Sequence, residues 1–226
     1  MDDVDDLADQ LAGVGVLAEP GRRTLYRFVV RQSSPVSREQ AAEAVRIPVH
    51  SVKFHLDKLV AAGLLEVEFR RLTGRTGPGA GRPAKLYRRS DREVALSVPP
   101  RRYDLVGEVL AEAVDRAVRD EVPIVDAVRR VAGEVGRELA EAEDAAGDDM
   151  ARTSDVLGRH GYEPRILDDE LCLANCPFDR LATDHTELVC GLNLALVDGV
   201  LDGLRVKDLH ARLAPQPGYC CVKVAG

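Results

Sequence analysis

The sequence predicts a mainly α chain with small β elements, divided into two unlike domains. Three observations predict it. Charge is unevenly placed along the 226 residues: the net value is −7, yet residues 1–19 carry six acids and no base. Residues 20–102 carry 18 Lys and Arg against 7 Asp and Glu, and residues 103–226 carry 13 against 25. Apolar residues recur at spacings of three and four through most of the chain, with strand-like runs confined to short stretches. All five cysteines, Cys172, Cys176, Cys190, Cys220 and Cys221, fall in the last quarter. The expected organisation is an acidic tail or short helix over 1–19, a basic domain over 20–97, a proline-containing linker over 98–102 and an acidic α+β domain over 103–226. A basic domain joined to an acidic one is the footprint of a nucleic-acid-binding module with a separate regulatory module.

In the basic domain, Pro20 suits the first position of a helix that places Leu25, Phe28 and Val29 on one face. Ser37 and Gln40 match a capping box, opening a second helix through Ala41, Ala42 and Val45. Ile47-Pro48 breaks it. Val49, Val52, Leu56, Leu59 and Val60 then form the inner face of a third helix, opposite His50, Ser51, Lys53, Phe54 and Lys58. Gly63 ends that helix. Glu66-Val67-Glu68-Phe69 alternates as a half-buried strand does, Arg70 and Arg71 follow, and Ala84 to Arg88 returns. Between the strands lies a glycine-rich loop with Arg75 and Arg82. A helix followed by a two-stranded ribbon with a basic tip is a winged helix-turn-helix. Its helix can enter a major groove while the ribbon reaches a neighbouring groove or the backbone.

His50, Ser51, Lys53 and Phe54 are the candidates for base contact, and Lys58 for phosphate. For Phe54, a thymine-methyl contact and a dimer or core contact stay open. His55 is expected to pack at the helix edge. Arg70, Arg71, Arg75, Arg82 and Lys85 are the wing candidates. Gly81-Arg82-Pro83 resembles the core of an AT-hook, in which arginine enters a narrow minor groove of enhanced negative potential.

In the acidic domain, Val106, Val109, Leu110, Ala113 and Ala117 make one apolar stripe. Pro123 starts a second helix with Val128, Val131, Ala132, Val135 and Leu139 inside. A third helix spans Met150 to His160, closed by Gly161. Arg165 to Leu173 reads as a hairpin turning at Asp168-Asp169. A helix from Thr186 to Gly203 follows, with Leu188, Val189, Leu192, Leu196 and Val200 apolar. Leu209 to Leu213 and Tyr219 to Val224 are the last expected strands, separated by a turn at Pro215 to Gly218.

Several function classes are disfavoured. Aromatics make up 4% of the chain and Trp is absent, which argues against aromatic-lined single-strand platforms. No apolar run approaches a transmembrane helix, and the acidic N-terminus is unlike a secretory signal, so a cytoplasmic location with no membrane partner is expected. Cys190 has no evident general base, since His185 lies five residues earlier on another part of the helix surface. The glycine-rich loop joins two strands rather than a strand and a helix. An enzyme is therefore not expected.

Cysteines clustered in one domain of a cytoplasmic protein suggest metal or redox chemistry rather than disulfides. The spacing here is neither a zinc-finger nor a ferredoxin pattern. Cys176 sits at a strand end, Cys190 on a helix and Cys220-Cys221 on an expected strand, and three such elements can converge. Adjacent strand residues point to opposite faces, so only one of Cys220 and Cys221 is expected to join easily. Cys172 lies ~13 Å from Cys176 if the strand is extended, at ~3.3 Å per residue. His160, His185, an acidic side chain or an exogenous thiol are other candidates to complete a site. Any single cysteine is also well explained as a small buried apolar residue.

Two resemblances add to this reading. Ser51-Val52-Lys53-Phe54-His55-Leu56-Asp57-Lys58-Leu59 with Ala62-Gly63-Leu64-Leu65 resembles the winged-helix domain of ArsR-type bacterial repressors, which implies a homodimer on a palindromic double-stranded operator. Asn175-Cys176-Pro177-Phe178, the segment Leu188 to Gly191 and the Cys220-Cys221 pair resemble the effector domain of SufR-type repressors. That resemblance implies an iron–sulfur cluster, of the 4Fe–4S kind, on Cys176, Cys190 and one of Cys220 or Cys221, with Cys172 the obvious fourth ligand. The alternative is a zinc site or a small effector in the same domain.

Overall fold

The structure is a computed structural model and describes residues 10–71 and 83–226. The first nine residues of the acidic tail lie outside the described residues, as does the wing-tip loop with Arg75, Gly81 and Arg82. The chain divides into two compact units, Met1–Leu96 and Ser97–Gly226. No helix among the described residues is long and apolar enough to cross a membrane.

In the first unit, residues 10–15 are helical and run into a 3-10 turn at Val16–Ala18. Helix α1 (Pro20–Val30) starts with proline at its first position, where the missing N–H costs nothing. Glu19 is its N-cap: the carboxylate accepts from the N–H groups of Gly21 and Arg22 at 2.9 and 2.6 Å. These bonds hold the Glu19 carboxyl below its usual range. His55 Nδ1 lies 3.6 Å from the same carboxylate, so His55 faces a helix cap.

Strand β1 (Val36–Ser37) leads into α2 (Arg38–Val45), whose capping box is complete: Ser37 Oγ accepts from Gln40 N, and Gln40 Oε1 accepts from Ser37 N. The turn to α3 (Val49–Ala61) uses Arg46 in the left-handed region, at φ 56°. Val52, Leu56 and Leu59 are fully buried, whereas Val49, expected on the inner face, is 41% exposed because it opens the first turn. Gly63, at φ +71°, reverses the chain into β2 (Leu65–Arg70). β2 pairs antiparallel with β3 (Ala84–Arg89) from Leu65↔Arg89 to Arg70↔Ala84. β1 adds a short third strand beyond β3, so the sheet order is β1-β3-β2. Its two residues are too few to show a period. Leu25, Val29, Val52, Leu56, Leu59 and Tyr87 form the centre of this unit's core.

The second unit begins with α4 (Tyr103–Asp120) and α5 (Ile124–Glu141), followed by α6 (Asp149–Arg159), capped by the Asp148 carboxylate on Ala151 N at 2.8 Å. Hairpin β4 (Pro164–Leu167) and β5 (Glu170–Leu173) turns at Asp168 and Asp169, with φ of 50° and 63°, a conformation short polar side chains tolerate. A short helix α7 (Asp179–Asp184), which the sequence pattern does not predict, precedes α8 (Thr186–Gly203). Strands β6 (His210–Leu213) and β7 (Val222–Ala225) complete an antiparallel sheet of order β4-β5-β7-β6.

Helix α8 is the centre of the unit and is buried on most of its surface, but Leu188, one of the apolar residues expected on it, is 37% exposed near its start. α8 packs on α5 through glycines. A Cβ on Gly136 would collide with the Leu196 carbonyl oxygen, and one on Gly199 with the carbonyl oxygen of Gly133. The two backbones approach too closely for any side chain at those points. The last strand is shorter than expected. It starts at Val222, after the turn containing Gly218 (φ +81°), although Cys220 N and the Cys221 carbonyl oxygen already bond to Leu173 and Ala214 of the neighbouring chain segments.

Candidate functional site

The first site is the outer face of α3 with the ribbon beside it. With Val52, Leu56 and Leu59 inside, the 3.6-residue period turns His50, Lys53, Phe54 and Lys58 to solvent, and Ser51 is half-buried. Phe54 is 56% exposed, which excludes a place in this unit's core. Its ring meets the His55 ring edge-on at 5.6 Å, and Lys58 Nζ lies 5.8 Å from its centroid. Phe54 and Lys58 thus present one apolar and one cationic surface side by side. No side chain caps the start of α3, and its exposed first turn carries His50 next to Ser51.

The wing cations are placed less uniformly. Arg71 is exposed; Arg70 is exposed and pairs with Glu68 at 2.7 Å. Lys85 is engaged within the unit: Nζ donates to Asp57 Oδ1 of α3 at 2.6 Å and lies 5.0 Å from the Tyr87 ring. Tyr87 Oη donates to the same carboxylate oxygen at 3.3 Å. The Lys85 hydrogen bond holds the Asp57 carboxyl below its usual range, and Asp57 in turn raises the Lys85 ammonium. Lys85 therefore ties the ribbon to the third helix.

The second site is a group of four thiols drawn from three segments. Cys176 lies in the loop after β5, Cys190 in the second turn of α8, and Cys220 and Cys221 in the turn before β7. Cys220 Sγ faces both Cys176 and Cys221, and Cys221 also faces Cys190. The backbone at 220–221 is still bonded to the sheet, Cys220 N to the Leu173 carbonyl oxygen at 2.8 Å and Ala214 N to the Cys221 carbonyl oxygen at 2.7 Å, with Cys220 buried and Cys221 half-buried. Hydrogen bonds from Cys220 and then Cys190 bring Cys221 down to about 6. The bond from Cys220 lowers Cys176. Burial pushes Cys190 up to about 12, and donation to Cys176 and Cys221 raises Cys220.

Cys172 is not in this group. On β5 the core-facing residues are Leu171 and Leu173, both fully buried, so Cys172 takes the other face. There it lies 3.8 Å from the Glu170 carboxylate, and its backbone partners are Arg165 and Lys223. His160 Nδ1 faces the Arg102 guanidinium at 3.3 Å, and His185 stands at the N-cap of α8.

Asn193 is the residue beside the thiols that sequence reasoning missed. It is buried in α8, and its Nδ2 donates to Cys220 Sγ at 3.1 Å. Its Oδ1 accepts from the buried Tyr162 hydroxyl at 2.6 Å, which fixes the orientation of the amide. Burial raises Tyr162 well above its usual value and keeps it a donor. The available signal was an amide inside the apolar run Leu192 to Leu196. An open cleft with Arg101, Asn175 and Asp179 on its wall reaches Cys176 and Cys220.

Four sulfurs with an N–H donor already aimed at one of them suit thiolate ligation of iron–sulfur or zinc. They are linked pairwise rather than gathered about one point: among the described residues no three Cys, His, Asp or Glu side chains are grouped to hold an ion. The donor set fits such a group, and the ligating arrangement is not preformed.

No curated protein matches the chain, and no solved structure does. Residues 17–68, which run from the turn before α1 into β2, match a family model described as a helix-turn-helix domain. With the exposed cationic face of α3 and the ribbon beyond it, this segment is the DNA-binding domain of a transcriptional regulator.

Proposed function

We propose that the chain is a homodimeric repressor that reads a palindromic operator through the α3 face and the wing. In this reading its second unit holds a thiolate-ligated iron–sulfur cluster on Cys176, Cys190, Cys220 and Cys221. The observation that supports the second half is the convergence of the three cysteine-bearing segments: Cys220 N donates to the Leu173 carbonyl oxygen at the end of β5 at 2.8 Å, and Asn193, three residues after Cys190 on α8, donates to Cys220 Sγ at 3.1 Å. His50, Ser51, Lys53 and Phe54 read base edges, while Lys58, Arg70, Arg71, Arg75 and Arg82 meet phosphate or a minor groove. Two copies present their third helices to half-sites about 34 Å apart.

When bound, the cluster supplies four strong bonds to thiolate and a state that changes with iron supply or oxidation. The residues of this chain do the rest. Shared ligation would add a further tie between the loop after β5, the start of α8 and the turn before β7, which already meet through Cys220 N on the Leu173 carbonyl oxygen at 2.8 Å and Asn193 Nδ2 on Cys220 Sγ at 3.1 Å. Asn193, fixed by Tyr162, donates to the Cys220 sulfur and would stabilise it as a thiolate ligand. Loss of ligation removes the shared tie and shifts the population competent for DNA, with reciprocal effects of DNA on the site.

The test is anaerobic purification with a visible spectrum and iron and sulfide assays. A brown protein containing both elements is expected, and Cys176→Ser, Cys190→Ser and Cys220→Ser should each lose the colour while Cys172→Ser keeps it. A colourless protein with stoichiometric zinc replaces the cluster by the four-thiolate zinc reading, which the same donor set satisfies. A colourless, metal-free protein overturns both.

A further inference from the structure

The chain enters the second unit through residues 97–102, and this entry segment is bound to the loop that carries Cys176. Asn175 Nδ2 donates to the Pro100 carbonyl oxygen at 3.0 Å and to the Gly161 carbonyl oxygen at 2.5 Å. The Arg101 guanidinium donates to Asn175 Oδ1 and, at 3.0 Å, to the carbonyl oxygen of Cys176 itself. It also lies 3.6 Å from the Asp179 carboxylate. Arg102 N donates to the Pro177 carbonyl oxygen at 3.1 Å. The entry segment is thus held by three consecutive residues of the cysteine loop, 175, 176 and 177.

Two features make this more than a surface staple. Asn175 is 7% exposed and both ends of its amide are used, so its orientation is fixed from several directions. The backbone of Cys176 belongs to the clamp while its sulfur faces Cys220. A change of bonding at that sulfur moves a residue whose carbonyl oxygen is an acceptor for Arg101.

We infer that the clamp formed by Arg101 and Asn175 transmits the state of the cysteine site to the segment on which the DNA-binding unit is carried. This rests on the regulatory reading above and adds its route. Ligation that holds Cys176 keeps the entry segment bound; release of Cys176 loosens it. Arg101 and Asn175 are positioning residues, and neither touches DNA or ligand in this account.

The test uses the full chain in two forms, metal-free reduced and reconstituted with iron and sulfide. The probe is a duplex that the wild-type protein selects from random-sequence DNA. Wild-type affinity should differ between the two forms by a ratio in the allosteric range, roughly 5–150-fold. Arg101→Met and Asn175→Ala should keep the reconstituted spectrum and bring that ratio to within about twofold of one. Exchange of the Arg102 amide should depend on the form in wild type and be about tenfold faster in the variants, with α8 amides unchanged as the check on folding. If Asn175→Ala does not fold, Arg101→Met decides, because its side chain lies nearer the surface. A folded, loaded variant with the wild-type ratio overturns the inference and leaves the regulatory reading intact. Equal Arg102 exchange in the two wild-type forms also overturns it. A wild-type ratio of one overturns both.

Discussion

Cys220 meets three partners, Cys176, Cys221 and the Asn193 amide, and its behaviour follows from them. Tyr162→Phe removes one hydroxyl and leaves Asn193 free to turn. The expected result is faster loss of the bound group, within the 10- to 100-fold range typical of outer-shell partners. Bleaching by a chelator would measure it, and an unchanged rate would remove Asn193 from the account. On α3, Lys53→Ala should cost about 1–3 kcal/mol of operator binding and relax preference at one base pair, whereas Lys58→Ala should weaken all sequences alike and lower the salt slope by about 1. Titrations at several salt concentrations separate the two. Gly136→Ala places a methyl against the Leu196 carbonyl oxygen, so it should destabilise the second unit by at least the ~1–3 kcal/mol typical of overpacking. A denaturant midpoint equal to wild type would show that α5 and α8 can move apart.

At the scale of elements, the ribbon and the third helix are joined by Asp57, Lys85 and Tyr87. The Asp57 carboxyl is lowered in the folded protein. Its contribution is therefore complete above the unfolded value, about 3.9, and is lost as pH falls through the lowered folded value. Both side chains of the pair are about 40% exposed, so the effect is at most about 1 kcal/mol. Asp57→Asn should lower the urea midpoint at neutral pH and match wild type in acid. Equal midpoints at both would leave the ribbon held by backbone pairing alone.

The elements were legible where a local rule suffices: Pro20 at a helix start, the Ser37–Gln40 box, Gly63 as a stop, Asp168-Asp169 as a hairpin turn. Those not legible depend on contacts distant in sequence. β1 exists because β3 pairs with it. The last strand runs from Val222 because its register is set by Leu213 and the residues before it on β6. The cysteine site divides the same way. Extended-strand spacing already set Cys172 apart from Cys176, whereas Asn193 beside Cys220 depends on a contact between residues 27 positions apart. The pairing of Lys85 with Asp57, 28 residues away, is not visible in the sequence pattern.

For the whole molecule, the sequence divides its tasks by charge. The basic stretch, with 18 Lys and Arg against 7 Asp and Glu, contains the helix-turn-helix match. The acidic stretch, with 13 against 25, is repelled by phosphate and holds every cysteine. Binding should therefore weaken steeply with salt through the first unit while its dependence on the cysteine site is set in the second. The most direct measurement is the affinity of the anaerobically purified full chain for its selected duplex, before and after removal of iron and sulfide. A change of at least about fivefold, abolished by Cys176→Ser, is the predicted result. Equal affinity in the two forms, with iron and sulfide shown to be present in one of them, would contradict the account.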